Sequence, residues 1–152
     1  DLGGMPVQKS LYYMTAALHK YPRLADSTTY RQIAQVQHDL SQRPFWFIPT
    51  KTIRSVEAQL REGDVVLLTA ARPGLDTKHV GFVTWQADPK TGQRRAFLLH
   101  ASSEYGRVMI TNCPLAEYVL YNKRLSGIRV ARLRATPQPG AAPTATFTAQ
   151  AQ

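Results

Sequence analysis

Apolar residues in the first half of the chain recur every three or four positions, as on one face of a helix. This spacing predicts two helices, over residues 7–20 and 29–41, and a third, short helix is expected over 52–60, ended by Glu62-Gly63-Asp64. The first is bounded by Pro6 and Pro22, and Ser27 or Thr28 is the expected N-cap of the second. Between the second and third helices, the aromatic segment 45–49 is expected to be extended, because its last residue is a proline.

The second half of the chain changes to short apolar runs separated by turn residues, a pattern typical of β-strands. It predicts five strands, over residues 65–70, 79–85, 96–101, 107–111 and 128–133. The polar loop 88–92 joins the second and third strands, so these two should form an antiparallel hairpin. One further helix is predicted over 114–121, with Pro114 in its first turn. Helices followed by strands indicate an α+β domain.

The length of 152 residues suits a single domain. We expect this domain to occupy residues 1–135 and a flexible tail, rich in Pro, Ala and Thr, to occupy 136–152. The longest apolar run, from Val65 to Leu68, is far too short to span a bilayer, so no membrane span is expected. No charged-then-apolar leader precedes the first helix, and any signal peptide is expected to lie outside this sequence.

The charge of the chain is basic and unevenly distributed. The net charge is +9, and residues 77–152 contribute +7 of it, from 10 basic and 3 acidic groups. Such a surface attracts anionic wall polymers, anionic lipid or nucleic acid, and a soluble basic protein without such a partner is the alternative. Nucleic acid is disfavoured, because aromatic residues do not alternate with the arginines as they do on a base-stacking surface. The single cysteine, Cys113, excludes an internal disulfide and any zinc site built from several cysteines.

Two of the four histidines are related by the predicted hairpin. His79 and His100 are nearly equidistant from the centre of the loop, so they should face each other on one side of the sheet. A pair of imidazoles there is compatible with a structural hydrogen bond or with a general base and its orienting partner. A metal site is the third alternative, with Asp76 as the only nearby third ligand.

Several ordered blocks of sequence resemble the N-acetylmuramoyl-L-alanine amidase-like family, in the NlpC-type branch of the papain-fold cell-wall hydrolases. The resemblance covers about residues 3–134. The blocks that carry it are Phe47-Ile48-Pro49, Arg61-Glu62-Gly63-Asp64-Val65-Val66, Gly74-Leu75-Asp76-Thr77-Lys78-His79-Val80-Gly81-Phe82, Leu98-Leu99-His100-Ala101-Ser102-Ser103, Arg107-Val108-Met109-Ile110, Pro114-Leu115-Ala116-Glu117-Tyr118 and Gly127-Ile128-Arg129-Val130-Ala131-Arg132.

The resemblance implies a papain-like α+β fold, with N-terminal helices and a five-stranded, mainly antiparallel sheet. It also implies a cysteine amidase or peptidase that cleaves peptidoglycan stem peptides in the periplasm or outside the cell, without a metal or a cofactor. His79 takes the place of the base and His100 that of the residue that orients it. Asp76 and Ser102 are the candidate substrate-binding residues, although Asp76 also suits a turn and Ser102 a solvated strand end.

The cysteine nucleophile of the family has no counterpart before position 113. We therefore expect it in an N-terminal segment of the same enzyme, upstream of this sequence. Cys113 follows Asn112 as in the circularly permuted lecithin–retinol acyltransferase group, but it comes only 13 residues after His100, and a small, partly buried side chain is the alternative. A catalytically inactive relative that binds muropeptides or an anionic polymer is the second hypothesis for the whole chain.

Overall fold

The computed structural model describes residues 2–133, which form one seven-stranded sheet in the order β1-β2-β7-β3-β4-β5-β6. All neighbouring strands in this sheet are antiparallel. The strands are β1 (Met5–Val7), β2 (Phe45–Pro49), β3 (Val65–Ala70), β4 (Thr77–Ala87), β5 (Arg94–Ser102), β6 (Arg107–Ile110) and β7 (Leu125–Ala131). The helices are α1 (Tyr13–Ala16), α2 (Ser27–Ser41), α3 (Ile53–Val56) and α4 (Leu115–Tyr121). The predicted tail at 136–152 lies outside the described residues.

The sheet extends two strands beyond the five that were predicted, so that count is wrong. The five predicted strands correspond to β3 through β7, whereas β1 and β2 come from the first half of the chain. β2 is the aromatic segment predicted to be extended, and it pairs with β7 through Ile48 and Ile128. β1 consists of only three residues, the middle one a proline. A strand this short shows no alternation of apolar and polar residues in the sequence.

The predicted helix over 7–20 is also wrong. Only α1 and short 3-10 turns at Leu18–Lys20 and Pro22–Ala25 form there. The backbone N–H groups of Tyr12 and Tyr13 both donate to the carbonyl of Gly74, at 3.1 and 3.0 Å. Because these two N–H groups in the middle of the predicted helix bond to a distant residue, they are not available for hydrogen bonds within a helix. The spacing of apolar residues does not reveal such a tertiary contact.

The second predicted helix is confirmed as α2, but its cap differs. Asp26, and not Ser27 or Thr28, caps it by accepting hydrogen bonds from the N–H groups of Thr28 (3.3 Å) and Thr29 (3.0 Å). The region predicted as 52–60 is helical in short pieces, with α3 between two 3-10 turns. No helix within residues 2–133 has the length and apolar character needed to cross a bilayer.

The hydrophobic core lies on one face of the sheet, which we call the inner face, together with α3 and α4. Its fully buried members include Ile53, Val66, Leu98, Leu115 and Ile128. The opposite face, the outer face, is partly open to solvent at β4, where Val80 and Phe82 are about half exposed. The inner face therefore determines the strand register, because a slip by one residue would bring its apolar side chains into water.

A buried ionic network connects the 3-10 turn Glu57–Gln59, which follows α3, and helix α4 to strand β5. The Arg95 guanidinium donates to both carboxylate oxygens of Glu57, at 2.6 and 3.0 Å, and also to Glu117 at 2.9 Å. Glu57 in addition accepts the backbone N–H of Ala96 at 3.1 Å. Arg95 and Glu57 are 6% and 5% exposed. Because water hardly reaches them, each charge is stabilised mainly by its ion-pair partner.

There is no room for a side chain at Gly81, where β4 lies against its neighbouring strand β5. An added Cβ would lie 2.6 Å from the Leu99 carbonyl oxygen and 2.7 Å from Leu98 Cδ1. We expect Gly81→Ala to lower the free energy of unfolding by about 1–3 kcal/mol, because the strands must separate to admit it. Urea denaturation would measure this. Gly4→Ala is the control, since its Cβ would come no nearer than 3.4 Å to its neighbours, and equal losses in the two variants would contradict the expectation.

Candidate functional site

His79 on β4 and His100 on β5 are in direct contact. His79 Nε2 lies 2.8 Å from His100 Nδ1, and the two ring planes are almost perpendicular, at 88°. The ring centroids are 5.0 Å apart, and His100 is only 8% exposed. The structure thus places both imidazoles on one side of the hairpin, as the sequence spacing predicted.

The strand register differs from the predicted one by two positions. In the structure Phe82 pairs with Leu99, so His79 and His100 are diagonal neighbours instead of directly opposed residues. The difference arises at Asp88, whose backbone N–H donates to the Gln93 carbonyl and so closes the loop. The Asp88 carboxylate accepts hydrogen bonds from the Lys90 N–H and the Thr91 hydroxyl within this loop. A shift of two positions keeps a side chain on the same face of the sheet, so the contact survives.

The hydrogen bond between the rings permits two arrangements of the proton. Either His79 Nε2–H donates to His100 Nδ1, or His100 Nδ1–H donates to His79 Nε2. In the first arrangement His79 Nδ1 keeps its lone pair and can accept a proton from an incoming group. No residue within 2–133 hydrogen-bonds to that nitrogen, so it is available for chemistry.

The surroundings of His100 favour its neutral form. Burial, and to a smaller extent the nearby charge of His79, lower the pKa of His100 from its ordinary value. A neutral His100 leaves Nδ1 able to accept the His79 proton.

The lowered pKa of His100 makes stability depend on pH. The unfolded chain binds this proton near pH 6.5, and the folded chain binds it only at lower pH. We therefore expect the free energy of unfolding to fall as the pH drops below about 6.5. His100→Asn should weaken this dependence, whereas the exposed control His38→Asn should retain it. Urea titrations at about pH 7.5 and about pH 5.5 would measure both, and an unchanged pH dependence in His100→Asn would contradict this interpretation.

A pocket of about 230 Å³ opens beside the two rings. Ser102 lines it, and its Oγ accepts the backbone N–H of Tyr105 at 3.3 Å; substrate binding by Ser102 stays a prediction. The other lining residues include Leu68, Lys78, Glu104, Tyr118 and Asn122, none of which was a sequence candidate. Tyr118 lies on α4 with its ring centroid 6.0 Å from that of His100. An aromatic residue on an amphipathic helix is typical of a core position, so its sequence pattern gave no functional signal.

Asp76 does not line this pocket. It forms ion pairs with Arg129 and with Lys9, the second at 3.7 Å, and it accepts the Thr77 hydroxyl at 3.0 Å. Its side chain is 15% exposed and lies beside the apolar groove under α2. Substrate binding by Asp76 stays a prediction. Within residues 2–133 no group of three His, Cys, Asp or Glu side chains could hold a metal ion, so a site of Asp76 and the two histidines has no support there.

Cys113 has surroundings unlike those of an activated thiol. Burial, and then the negative charge of Glu117, raise the pKa of the Cys113 thiol. Cys113 lines a separate surface depression near the end of α4, together with Tyr121 and Lys123, and not the histidine pocket. The neutral thiol is therefore favoured at this position, and a thiol reacts poorly as a nucleophile in that form.

Alkylation would test this interpretation of Cys113. We expect iodoacetamide to modify Cys113 more slowly than it modifies free N-acetylcysteine at about pH 7, and to leave it unmodified in mild acid, because the thiolate is the reactive form. Mass spectrometry of timed samples would follow the reaction. Modification faster than that of the free thiol would instead support a nucleophilic Cys113.

Comparisons with known proteins agree with the fold and suggest a class of chemistry. A family model for N-acetylmuramoyl-L-alanine amidase-like proteins matches residues 5–128. A crystal structure of a proposed xylanase from Bacteroides fragilis is 30% identical with a TM-score of 0.76, and the match covers 86% of this chain and 55% of that one. An N-acetylmuramoyl-L-alanine amidase from Bacteroides uniformis has a TM-score of 0.78 at 24% identity, over 89% of this chain and 57% of that one. This chain thus spans just over half the length of these two proteins. No curated protein sequence matches it significantly.

Proposed function

The chain belongs to the N-acetylmuramoyl-L-alanine amidase-like family, and we propose that it is the histidine-bearing part of a cysteine hydrolase that cleaves amide bonds in peptidoglycan stem peptides. The contact between His79 and His100 is the observation that carries this proposal. A papain-like fold of the NlpC type, with residues 1–135 as the hydrolase domain, is part of the same proposal. So is action in the periplasm or outside the cell, where stem peptides are found.

His79 acts as the general base and His100 as the residue that positions it. This assignment is supported by the bond geometry, because His79 uses Nε2 for His100 and has Nδ1 left for a thiol. The reverse assignment is less suitable, since His100 is the more buried ring and uses Nδ1 for His79. A general base needs both an available lone pair and a partner that fixes its orientation.

The nucleophile is a cysteine supplied by a segment that is not part of this sequence. Two observations favour this source over Cys113: the raised pKa of the Cys113 thiol and its place outside the histidine pocket. The family neighbours of known structure are nearly twice as long as the part this chain matches, which leaves room for such a segment in them.

The reaction proceeds through a thioester. The cysteine thiol passes its proton to His79 Nδ1, and the thiolate sulfur attacks the carbonyl carbon of the substrate amide. His79 then gives the proton to the departing amine as the C–N bond breaks. Water attacks the thioester in the second half of the reaction, with His79 accepting its proton and returning it to the sulfur. Ser102, in the histidine pocket, and Asp76 are the proposed substrate-binding residues.

Digestion of purified muropeptides by the full-length gene product tests this function. The expected result is the release of new amine and carboxylate ends at one amide bond, detected by mass spectrometry, with loss of activity after iodoacetamide treatment. A fully folded full-length protein that cleaves no muropeptide amide would contradict the substrate assignment. Cleavage that survives blocking of every cysteine would contradict the cysteine mechanism.

A binding module is the second candidate function. It is favoured by the charge of +7 on residues 77–152, which suits an anionic wall polymer or muropeptide. The gene sequence upstream of Asp1 distinguishes the two functions. A cysteine at the start of a predicted helix supports the enzyme, and its absence from the encoded protein supports the binding module.

A further inference from the structure

Two cationic side chains hydrogen-bond to the phenol of Tyr13, and the charge of a third acts on it. Lys20 Nζ donates to the Tyr13 hydroxyl at 3.1 Å, and Arg72 Nη1 donates to it at 3.4 Å. The Arg72 guanidinium also lies over the Tyr13 ring, 4.7 Å from its centroid. The charge of Lys78 acts on the same phenol. We call Tyr13, Lys20, Arg72 and Lys78 the basic cluster.

The backbone holds the basic cluster in place. The Gly74 carbonyl accepts the N–H groups of both Tyr12 and Tyr13, which joins the start of α1 to the turn between β3 and β4. Gly74 has a φ of +78°, and a Cβ at this position would come within 2.8 Å of the Tyr12 ring. Any other residue would therefore strain the turn and push Tyr12 away. Tyr13 and Arg72 are thus positioned together by backbone bonds and not by their side chains alone.

The positive charge of the basic cluster is not neutralised by a carboxylate. Within residues 2–133, neither Lys20, Arg72 nor Lys78 forms an ion pair. Asp76, the nearest acid in sequence, is paired with Lys9 and Arg129. The phenol oxygen accepts from two cations, so its own O–H is left to donate to a third group. The hydrogen bond from Lys20 lowers the pKa of Tyr13, which makes that O–H a stronger donor.

Lys78 is the member of the basic cluster that lines the histidine pocket. It precedes His79 in β4, and Glu104 lines the same pocket. We propose that the basic cluster is a subsite for a carboxylate of the peptide that enters this pocket, with Tyr13 O–H, Arg72 and Lys78 as its donors. The inference rests on the proposed function for the identity of that peptide. Stem peptides carry free carboxylates beside their amide bonds, and the subsite would fix which amide reaches the histidines.

Binding measurements on residues 1–152 test the subsite without requiring activity. The probes are L-alanyl-γ-D-glutamate, which carries free carboxylates, and the same dipeptide with both carboxyls converted to carboxamides. Backbone amide shifts of Tyr13, Gly74 and Lys78 should follow titration with the free acid. The diamide should bind about tenfold more weakly, because it keeps the shape and loses the charge.

Single substitutions of the basic cluster give the matched comparison. Lys20→Gln, Arg72→Gln and Lys78→Gln should each weaken binding of the free acid by up to about fivefold, since all three side chains are exposed. Lys51→Gln removes an exposed lysine elsewhere and should change nothing. Equal binding of acid and diamide, no binding of either, or shifts confined to the histidine pocket would overturn the subsite.

Competition with inorganic phosphate distinguishes a subsite for carboxylates from a surface that binds any anion. Phosphate that displaces the dipeptide with equal affinity would overturn the carboxylate assignment and point to a phosphate-bearing wall polymer. Phosphate that competes only weakly would support the subsite. Cleavage of muropeptides by the full-length product is decided separately, so the subsite can fail while the proposed function stands.

Discussion

Replacing His79 with alanine in the full-length enzyme is expected to lower kcat by about 10²–10⁴-fold, the usual contribution of a general base. The reason is that His79 Nδ1 is the proposed acceptor of the thiol proton and the later donor to the leaving amine. The measurement is the initial rate of muropeptide cleavage at saturating substrate. His38→Ala is the control, because His38 is an exposed histidine on α2 and should retain full activity.

Two variants of His100 separate positioning from general packing. In His100→Asn the amide oxygen falls near the place of Nδ1 and can still accept the His79 Nε2 proton, so much of the activity should remain. His100→Ala removes the acceptor and should lose more of the activity. Retention of full activity by His79→Ala, or equal losses in the two His100 variants, would contradict the assigned roles.

Replacing Arg95 with methionine is expected to lower the free energy of unfolding by about 3–5 kcal/mol, because it leaves the buried Glu57 carboxylate without its main partner. Methionine keeps most of the side-chain volume, so the loss measures the ionic contact more than a cavity. Glu117 also loses its contact, but its side chain is one-third exposed and water can replace the bond. Urea denaturation followed by circular dichroism would measure the change.

The neighbouring residue and a double variant complete this test. Arg94→Met should cost little, because Arg94 is exposed on the same strand. Adding Glu57→Gln to Arg95→Met should recover part of the loss, since the unpaired charge is then removed. If the Arg95 and Arg94 variants were equally stable, the buried network would contribute nothing beyond surface charge.

Secondary structure was predictable where local signals and tertiary packing agree. α2 has an apolar face and stands next to a capping aspartate, and the predicted helix over 29–41 is confirmed within it. The strands β3 to β7 were found from their apolar runs and the turns between them. The predicted helix over 7–20 failed because its central N–H groups bond to Gly74, about 60 residues away along the chain. Helical spacing cannot reveal a competing partner at that distance.

The candidate site was only partly visible in the sequence. The two histidines were placed together because strand periodicity and a polar hairpin loop put them on neighbouring strands. Ser102 was named only as a strand-end serine within a sequence block that resembles the family, and it lines the same pocket. Tyr118 on α4 and Asn122, the residue after this helix, also line the pocket. The packing of α4 against the sheet depends on buried side chains far apart in the chain. The basic cluster was missed for the same reason, since Tyr13 and Arg72 are 59 residues apart in the chain and are brought together where the Tyr13 N–H bonds to the Gly74 carbonyl.

The sequence by itself determined that β4 and β5 form a hairpin with both imidazoles on one face, because alternation along a strand is a local property and tolerates a shift of two positions. Only the tertiary structure decided which ring nitrogens meet, how far His100 is buried and which side chains surround the pair. Those features depend on contacts between distant segments. They are set by the packing of the whole core, which no single stretch of sequence encodes.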